Sequence, residues 1–254
     1  MKICTWNLWF STKHQSERMK ECARVILKSS SDVVCLQEVT QSISYALLTH
    51  ELLSKYELFE DVHSTMPYGN IFLVKRARNF KVDFFFSMPF PFGIGSNMNR
   101  RIYFLVLSNG ITLLNVHLES VFNGPKGLKA FQLEYLLGYA RVIAKSSGKK
   151  VFIIGDTNLS AEDDKIWSRK MIKQNGFVDI MHPEKEIFTY DHIENGNIQG
   201  KFLSRLDRFL CSEEDVKIES YELLGTQVFR IEEGEDEGER LHPSDHFGVQ
   251  IKFV

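Results

Sequence analysis

Apolar residues fall in short dense runs, and each run stops at a polar residue. Lys2–Trp6, Val33–Leu36 and Val151–Ile154 scarcely alternate, which predicts strands buried on both faces. Between the first two, Glu17–Lys28 puts Met19, Cys22, Ala23, Ile26 and Leu27 on one helical face, and Ser29-Ser30-Ser31-Asp32 ends it. Strand, helix and strand in that order predict a right-handed crossover unit. Ile43–Leu53 predicts a second helix. Tyr68–Val74 and Val82–Phe86 predict strands, with Phe84-Phe85-Phe86 as strand core rather than a stacking platform. Ile102–Leu107 and Thr112–Val116 predict a hairpin turned at Ser108-Asn109-Gly110. Leu128–Ala144 is the clearest helix, and Gly155 stops the strand that follows it. Asp163–Asn175 predicts a further helix. Phe188–Tyr190, Leu206–Leu210 and Val249–Val254 predict strands, and Gln227–Ile231 is weakly strand-like. The two halves echo each other, each setting a helix before a buried strand with a polar exit.

Length and composition narrow this to an α/β protein. The 254 residues suit one large domain over 1–254, and 43% hydrophobic with 25% charged residues allows a sizeable core. A net charge of -2 excludes a wholly basic nucleic-acid binder but leaves room for a local basic groove. Cys4, Cys22, Cys35 and Cys211 lie at no metal-binding spacing and read as reduced thiols, as expected of an intracellular protein. The apolar run after Lys2 is too short for a secretory signal, and no run is long enough to span a membrane. Glu232–Glu239 holds six acidic residues in eight, which predicts a solvated loop without a metal role.

The polar residues at the strand exits carry the chemistry. They are Asn7, Glu38, His117, Asp156, Asn158, Asp207, Asp245 and His246. Each alone has an ordinary reading: Asp156 and Asn158 as turn formers, or Asp207 as the ion-pair partner of Arg205 or Arg208. Together they suit phosphoester hydrolysis. Glu38 can offer a carboxylate to a hard cation such as magnesium, which prefers oxygen ligands and keeps several waters. Such a cation neutralises charge on the phosphate and its leaving oxygen. His246, held by Asp207 or Asp245, can donate to a nonbridging oxygen. Asp156 can activate a water, with Asn158 fixing its direction. No cysteine cluster or histidine pair at ligand spacing points to zinc instead.

Thr5-Trp6-Asn7, Leu36-Gln37-Glu38-Val39, Gly155-Asp156-Thr157-Asn158, Leu206-Asp207-Arg208 and Ser244-Asp245-His246-Phe247-Gly248 resemble the ordered motifs of the endonuclease/exonuclease/phosphatase superfamily, the DNase I-like fold. Within it, His117-Leu118-Glu119-Ser120, Gly155-Asp156-Thr157-Asn158-Leu159 and Phe188-Thr189-Tyr190-Asp191 resemble the tyrosyl-DNA phosphodiesterase 2 branch. The resemblance implies a four-layer α/β sandwich, two mixed β-sheets flanked by helices. It implies one magnesium held chiefly by Glu38, with manganese a possible substitute. It implies hydrolysis of the 5′ bond between DNA and a topoisomerase tyrosine, leaving a 5′ phosphate. In that scheme Asp156 activates the water, and Asn7, Asn158 and His246 contact the phosphate. His117, Asp207 and Asp245 complete the catalytic set, and Arg100, Tyr190 and Ser120 meet the substrate. Partners would be DNA 5′ ends carrying topoisomerase-derived adducts, met by a monomer in the nucleus or cytoplasm and away from membranes.

Two positions depart from that pattern: Trp9 stands where an acidic residue is common, and Ser160 where an arginine is. Candidates for a basic groove are Arg100, Arg101, Lys126, Lys129, Lys201 and Arg205, with Tyr190 as a stacking surface. Two alternatives stay open at this point. One is another phosphoesterase of the same fold, acting on abasic DNA, RNA tails or phospholipid headgroups. The other is a nucleic-acid-binding module without catalysis.

Overall fold

Among the residues described by the computed structural model (1–91, 93–120, 127–180, 187–212, 216–231 and 237–254), twelve strands form two mixed sheets of six. The first runs in the order β13 (Ile218–Leu224), β16 (Gly248–Phe253), β1 (Lys2–Asn7), β2 (Val33–Val39), β4 (Gly69–Lys75) and β3 (Tyr56–Phe59). The second runs β5 (Val82–Pro89), β6 (Arg101–Leu107), β7 (Ile111–His117), β8 (Lys150–Asp156), β12 (Asp207–Cys211) and β9 (Val178–Asp179). Two short ribbons stand apart: β10 (Tyr190–Asp191) with β11 (Leu203–Ser204), and β14 (Phe229–Arg230) with β15 (Arg240–Leu241).

Each sheet holds one parallel pair. β1 and β2 are joined through helix α1 (Gln15–Ser29), and β7 and β8 through helix α4 (Leu128–Ser147). These are the two echoing halves of the sequence. Parallel pairing brings both strands of a pair out at the same end, which is where an open α/β sheet binds ligands. Pairing Asn7 with Gln37 and His117 with Asp156 sets two polar exits at one end of each sheet, and the Asn7–Asp156 hydrogen bond joins the two ends.

The apolar core explains why the runs do not alternate. Ile3, Val33, Cys35 and Phe72 face Tyr103, Leu113, Phe152, Ile154 and Phe209 between the sheets. On the outer face of the first sheet, Cys4, Trp6 and Val34 pack on Met19, Cys22 and Ile26 of α1. Helices α2 (Gln41–Leu47) and α3 (His50–Lys55) complete that layer. The second sheet buries Val151, Ile153 and Leu114 against Leu133, Leu136 and Leu137 of α4. The result is the expected four-layer sandwich. Nearer the polar exits a side-chain network bridges the sheets: Gln37 Nε2 donates to Asn115 Oδ1 at 2.8 Å, and Asn115 Nδ2 donates to the Leu36 and Ile71 carbonyls.

Several elements differ from the sequence reading. Ile43–Leu53 is two helices, because the Thr49 hydroxyl accepts the Leu52 N–H and caps a new one. The helix predicted over Asp163–Asn175 is α5 (Ala161–Asp163), a π-turn (Asp164–Ser168) and α6 (Arg169–Gln174). Strand β8 continues through Gly155 to Asp156 instead of stopping. Phe84-Phe85-Phe86 is not all core. β5 is an edge strand, so alternate side chains face out: Phe85 packs inward, while Phe84 is 68% exposed and Phe86 lies stacked on Phe104. The acidic stretch lies largely outside the described residues. At its end, Glu239 accepts from Lys13 Nζ at 2.7 Å.

Candidate active site

Asp156 sits at the centre of the strand exits and is almost fully buried. Three donors fill its oxygens. Asn7 Nδ2 donates to Oδ2 at 2.9 Å, the Asn158 backbone N–H donates to Oδ1 at 2.8 Å, and His117 Nε2 lies 3.2 Å from Oδ2. Burial alone would raise its pKa. His117, then His246 and the Asn158 N–H more than offset this, and the carboxyl is held well below the usual carboxylate range. Gly155 makes the placement possible. Its φ is +136°, and a Cβ there would lie 2.0 Å from the Val116 carbonyl oxygen of β7. Glu38 and Asn158 adopt left-handed backbone (φ 58° and 51°), a conformation that concentrates at functional sites.

The two histidines are held differently. Arg100 Nη1 lies 2.7 Å from His117 Nδ1. A guanidinium only donates, so Nδ1 carries the lone pair and Nε2–H points at Asp156. Arg100 is itself buried, with its guanidinium 5.2 Å from the Tyr68 ring centre. His246 Nδ1 lies 2.8 Å from Asp207 Oδ2, and its Nε2 lies 3.9 Å from Asp156 Oδ2. Burial opposes the His246 charge, but Asp207, Asp156 and Asp245 raise its pKa well above the ordinary histidine value. Behind this pair, Trp6 Nε1 donates to the His246 carbonyl, and the Ser244 hydroxyl donates to the Asn7 carbonyl at 2.7 Å. Those bonds tie the loop before β16 to the end of β1.

Glu38 faces the same space, with Oε2 accepting the Phe10 N–H at 3.0 Å. Asp245 stands half-buried in the same cleft. Its pKa is pushed up to about 7 by burial, with Glu38 and Asp156 adding to the shift and His246 opposing it. Carboxylates that repel one another to this extent fit a hard cation, which would relieve the repulsion. Among the described residues no three His, Cys, Asp or Glu side chains converge as a metal cage. A cation that keeps most of its waters and takes one or two carboxylates needs none.

These groups line a cleft of about 890 Å³. Nine of the eleven residues singled out from the sequence line it, and a tenth, Asp207, stands behind His246. The eleventh, Asn7, is buried with its carboxamide bound to Asp156 and its Oδ1 accepting the Trp9 N–H, rather than turned into the cleft. Ser120 lines the cleft beside Met98, and Tyr190 meets His246 edge to face at 5.1 Å. Asn158 turns its Nδ2 to the Leu118 carbonyl.

The basic candidates divide. Arg100 and Lys201 line the cleft. Lys129 lines it too, but its ammonium is bound to the Asn158 carbonyl and Asp163. Arg205 is no groove residue. It forms a two-pronged pair with Asp179 at 2.8 and 2.9 Å, beside the buried Arg208–Asp164 pair. Arg101 donates to the Ser87 hydroxyl, and Lys126 lies outside the described residues. The sequence reading missed Phe10, Trp167 and Phe202, which add aromatic walls. Phe10 and Phe202 stand in loops and Trp167 in the π-turn between α5 and α6, and single aromatics in such places carry no pattern that marks a cleft wall.

The geometry is matched by comparison with known proteins. A profile of the endonuclease/exonuclease/phosphatase family matches residues 4–246. The chain belongs to that family. Among solved structures, TDP2 of Caenorhabditis elegans is 25% identical with a TM-score of 0.79, covering all of this chain and 74% of that one. A zebrafish (D. rerio) TDP2, crystallised with single-strand DNA product, is 22% identical with a TM-score of 0.77, covering all of this chain and 98% of that one. A mannosyl-6-phosphatase of Bacteroides thetaiotaomicron shares the fold at 14% identity and a TM-score of 0.74, covering 100% and 99% of the two chains. Among curated proteins none matches. As a member of the family, the protein is a hydrolase of phosphoester bonds. Among the described residues, no helix is long and apolar enough to cross a membrane.

Proposed function

We propose that the protein is a magnesium-dependent phosphodiesterase that hydrolyses 5′-phosphotyrosyl-DNA bonds of the kind topoisomerases leave, with manganese able to replace magnesium. The observation that carries this reading is Asp156: a buried carboxylate held charged by three donors, between two histidines, opening on a cleft with aromatic walls. The likeness to the worm TDP2 at 25% identity supports the tyrosyl-DNA substrate.

In this reading Glu38 would hold the cation, which when bound would supply charge neutralisation at the phosphate and the leaving oxygen. Asp156 accepts a hydrogen bond from the attacking water and takes its proton as the oxygen–phosphorus bond forms. Its low pKa keeps it ionised beforehand. The His246 imidazolium donates to a nonbridging oxygen, and Asp207 holds the ring for that task. The phosphorus–oxygen bond to the tyrosine breaks, and the electron pair leaves on the phenol oxygen. Arg100, Ser120 and Tyr190 bound the space the substrate fills. A binding module without catalysis has no use for a desolvated base backed by two histidines.

A 5′-tyrosyl oligonucleotide, assayed beside an abasic duplex, an RNA tail and a phospholipid headgroup diester, tests the reading. The expected result is magnesium-dependent release of a 5′-phosphate end, lost with EDTA and in Glu38→Gln. Cleavage of another substrate with none of the tyrosyl oligonucleotide would overturn the assignment.

A further inference from the structure

Arg18 lies on α1, away from the cleft lining, and is fully buried. Among the described residues no carboxylate pairs with it directly. Instead its five N–H groups meet five backbone carbonyls. Nε donates to Lys13 at 2.9 Å, Nη1 to Leu8 at 3.2 Å and Pro243 at 3.0 Å, and Nη2 to Trp9 at 3.1 Å and Ser11 at 2.6 Å. That is the full donor capacity of a guanidinium. The Trp9 ring covers it, with Arg18 Cζ 4.5 Å from the ring centre. Trp9 and His14 both take left-handed backbone (φ 57° and 44°), so the segment curls around the charge. Burial works against that charge, while Asp245 and Glu38 favour it.

The carbonyls belong to two segments from opposite ends of the chain, and each carries part of the site. Residues 8–13 hold the Phe10 N–H that donates to Glu38 Oε2. Pro243 immediately precedes Ser244, whose hydroxyl reaches the Asn7 carbonyl and accepts the His246 N–H. We propose that Arg18 is a positioning residue for the active site: one guanidinium fixes the segment that orients Glu38 against the segment that presents Asp245 and His246. It touches neither substrate nor reacting atoms and acts through Phe10 and Pro243. The inference rests on the reading that Glu38 and His246 serve one reaction. It accounts for a buried cation whose five N–H groups all meet carbonyls, because a carboxylate partner could grip one segment where five carbonyls grip two.

Arg18→Lys keeps the charge but removes the fork, since an ammonium is a point donor that cannot reach five carbonyls. The variant is compared with the parent below its melting temperature in two assays: manganese affinity by calorimetry, and kcat and KM on the phosphodiester the parent cleaves. The expected outcome is a cooperative melt, manganese binding weakened at least about fivefold, and kcat lowered at least about tenfold with KM within about threefold. Manganese affinity and kcat both within twofold of the parent would overturn the proposal. If Arg18→Lys does not fold, Phe10→Pro carries the test, because it deletes the N–H that the clamp aims at Glu38. Unchanged manganese affinity in that variant would likewise overturn it. A parent that binds no manganese refutes instead the reading of Glu38 as a metal ligand. The kcat comparison then decides the role of Arg18 by itself.

Discussion

Replacing Asp207 by asparagine tests the charge logic of the site most directly. Asp207 is fully buried, and its Oδ2 lies 2.8 Å from His246 Nδ1. Breaking a buried pair by removing one partner costs about 3–5 kcal/mol. The new carboxamide keeps a neutral hydrogen bond of about 1 kcal/mol, leaving a loss of about 2–4 kcal/mol. The loss depends on pH. The folded-state pKa of His246 is raised well above its ordinary 6.5, so the stability it contributes is fully present below pH 6.5 and fades as pH rises through the folded value. Without Asp207 the largest support for the ring's charge is gone, and its pKa falls. Urea titrations of parent and Asp207→Asn from pH 6 upward should therefore show the largest difference at the acid end, shrinking steadily with pH. Turnover should fall by roughly 10²–10⁴-fold, the usual worth of a positioned acid. A stability difference that stays flat with pH, or a loss of turnover under threefold, would refute the reasoning.

Three further outcomes follow from the same geometry. Asp156→Asn should lower kcat by roughly 10³-fold or more while the far-ultraviolet circular dichroism spectrum is unchanged; a rate near the parent's would remove Asp156 as the base. Gly155→Ala should destabilise by about 3 kcal/mol or more in chemical denaturation, because its Cβ would meet the Val116 carbonyl at 2.0 Å on a left-handed backbone. Arg208→Met should lose about 3–5 kcal/mol by removing the two-pronged partner of buried Asp164, while Asp179 keeps Arg205, yet bind the phosphodiester that the parent cleaves as the parent does; weakened substrate binding by the folded variant would contradict the structural role.

The site was legible in the sequence because its groups stand at strand exits, and an apolar run that stops at a polar residue marks such an exit. Asn7, Glu38, His117 and Asp156 are four of these; parallel pairing brings each pair to one end of its own sheet, and the packing of the two sheets brings the pairs together. Other features were hidden. β13 was missed because an edge strand exposed at most positions carries little apolar signal. The break between α2 and α3 was missed because the apolar spacing runs on across Thr49 while its hydroxyl starts a new helix.

What the sequence determined by itself was the set of buried strands, the two crossover units and the residue types at the exits, because periodicity and local chemistry depend on near neighbours. Only the tertiary structure decided which partner each charged group took. Asp207 lies two residues from Arg205 and one from Arg208, yet it holds His246, while both arginines turn to Asp164 and Asp179. It also decided that Arg18, unremarkable on a helix face, binds carbonyls from both ends of the chain. Pairing at distance is set by how the layers pack and how far each site is removed from water, and no local pattern encodes that.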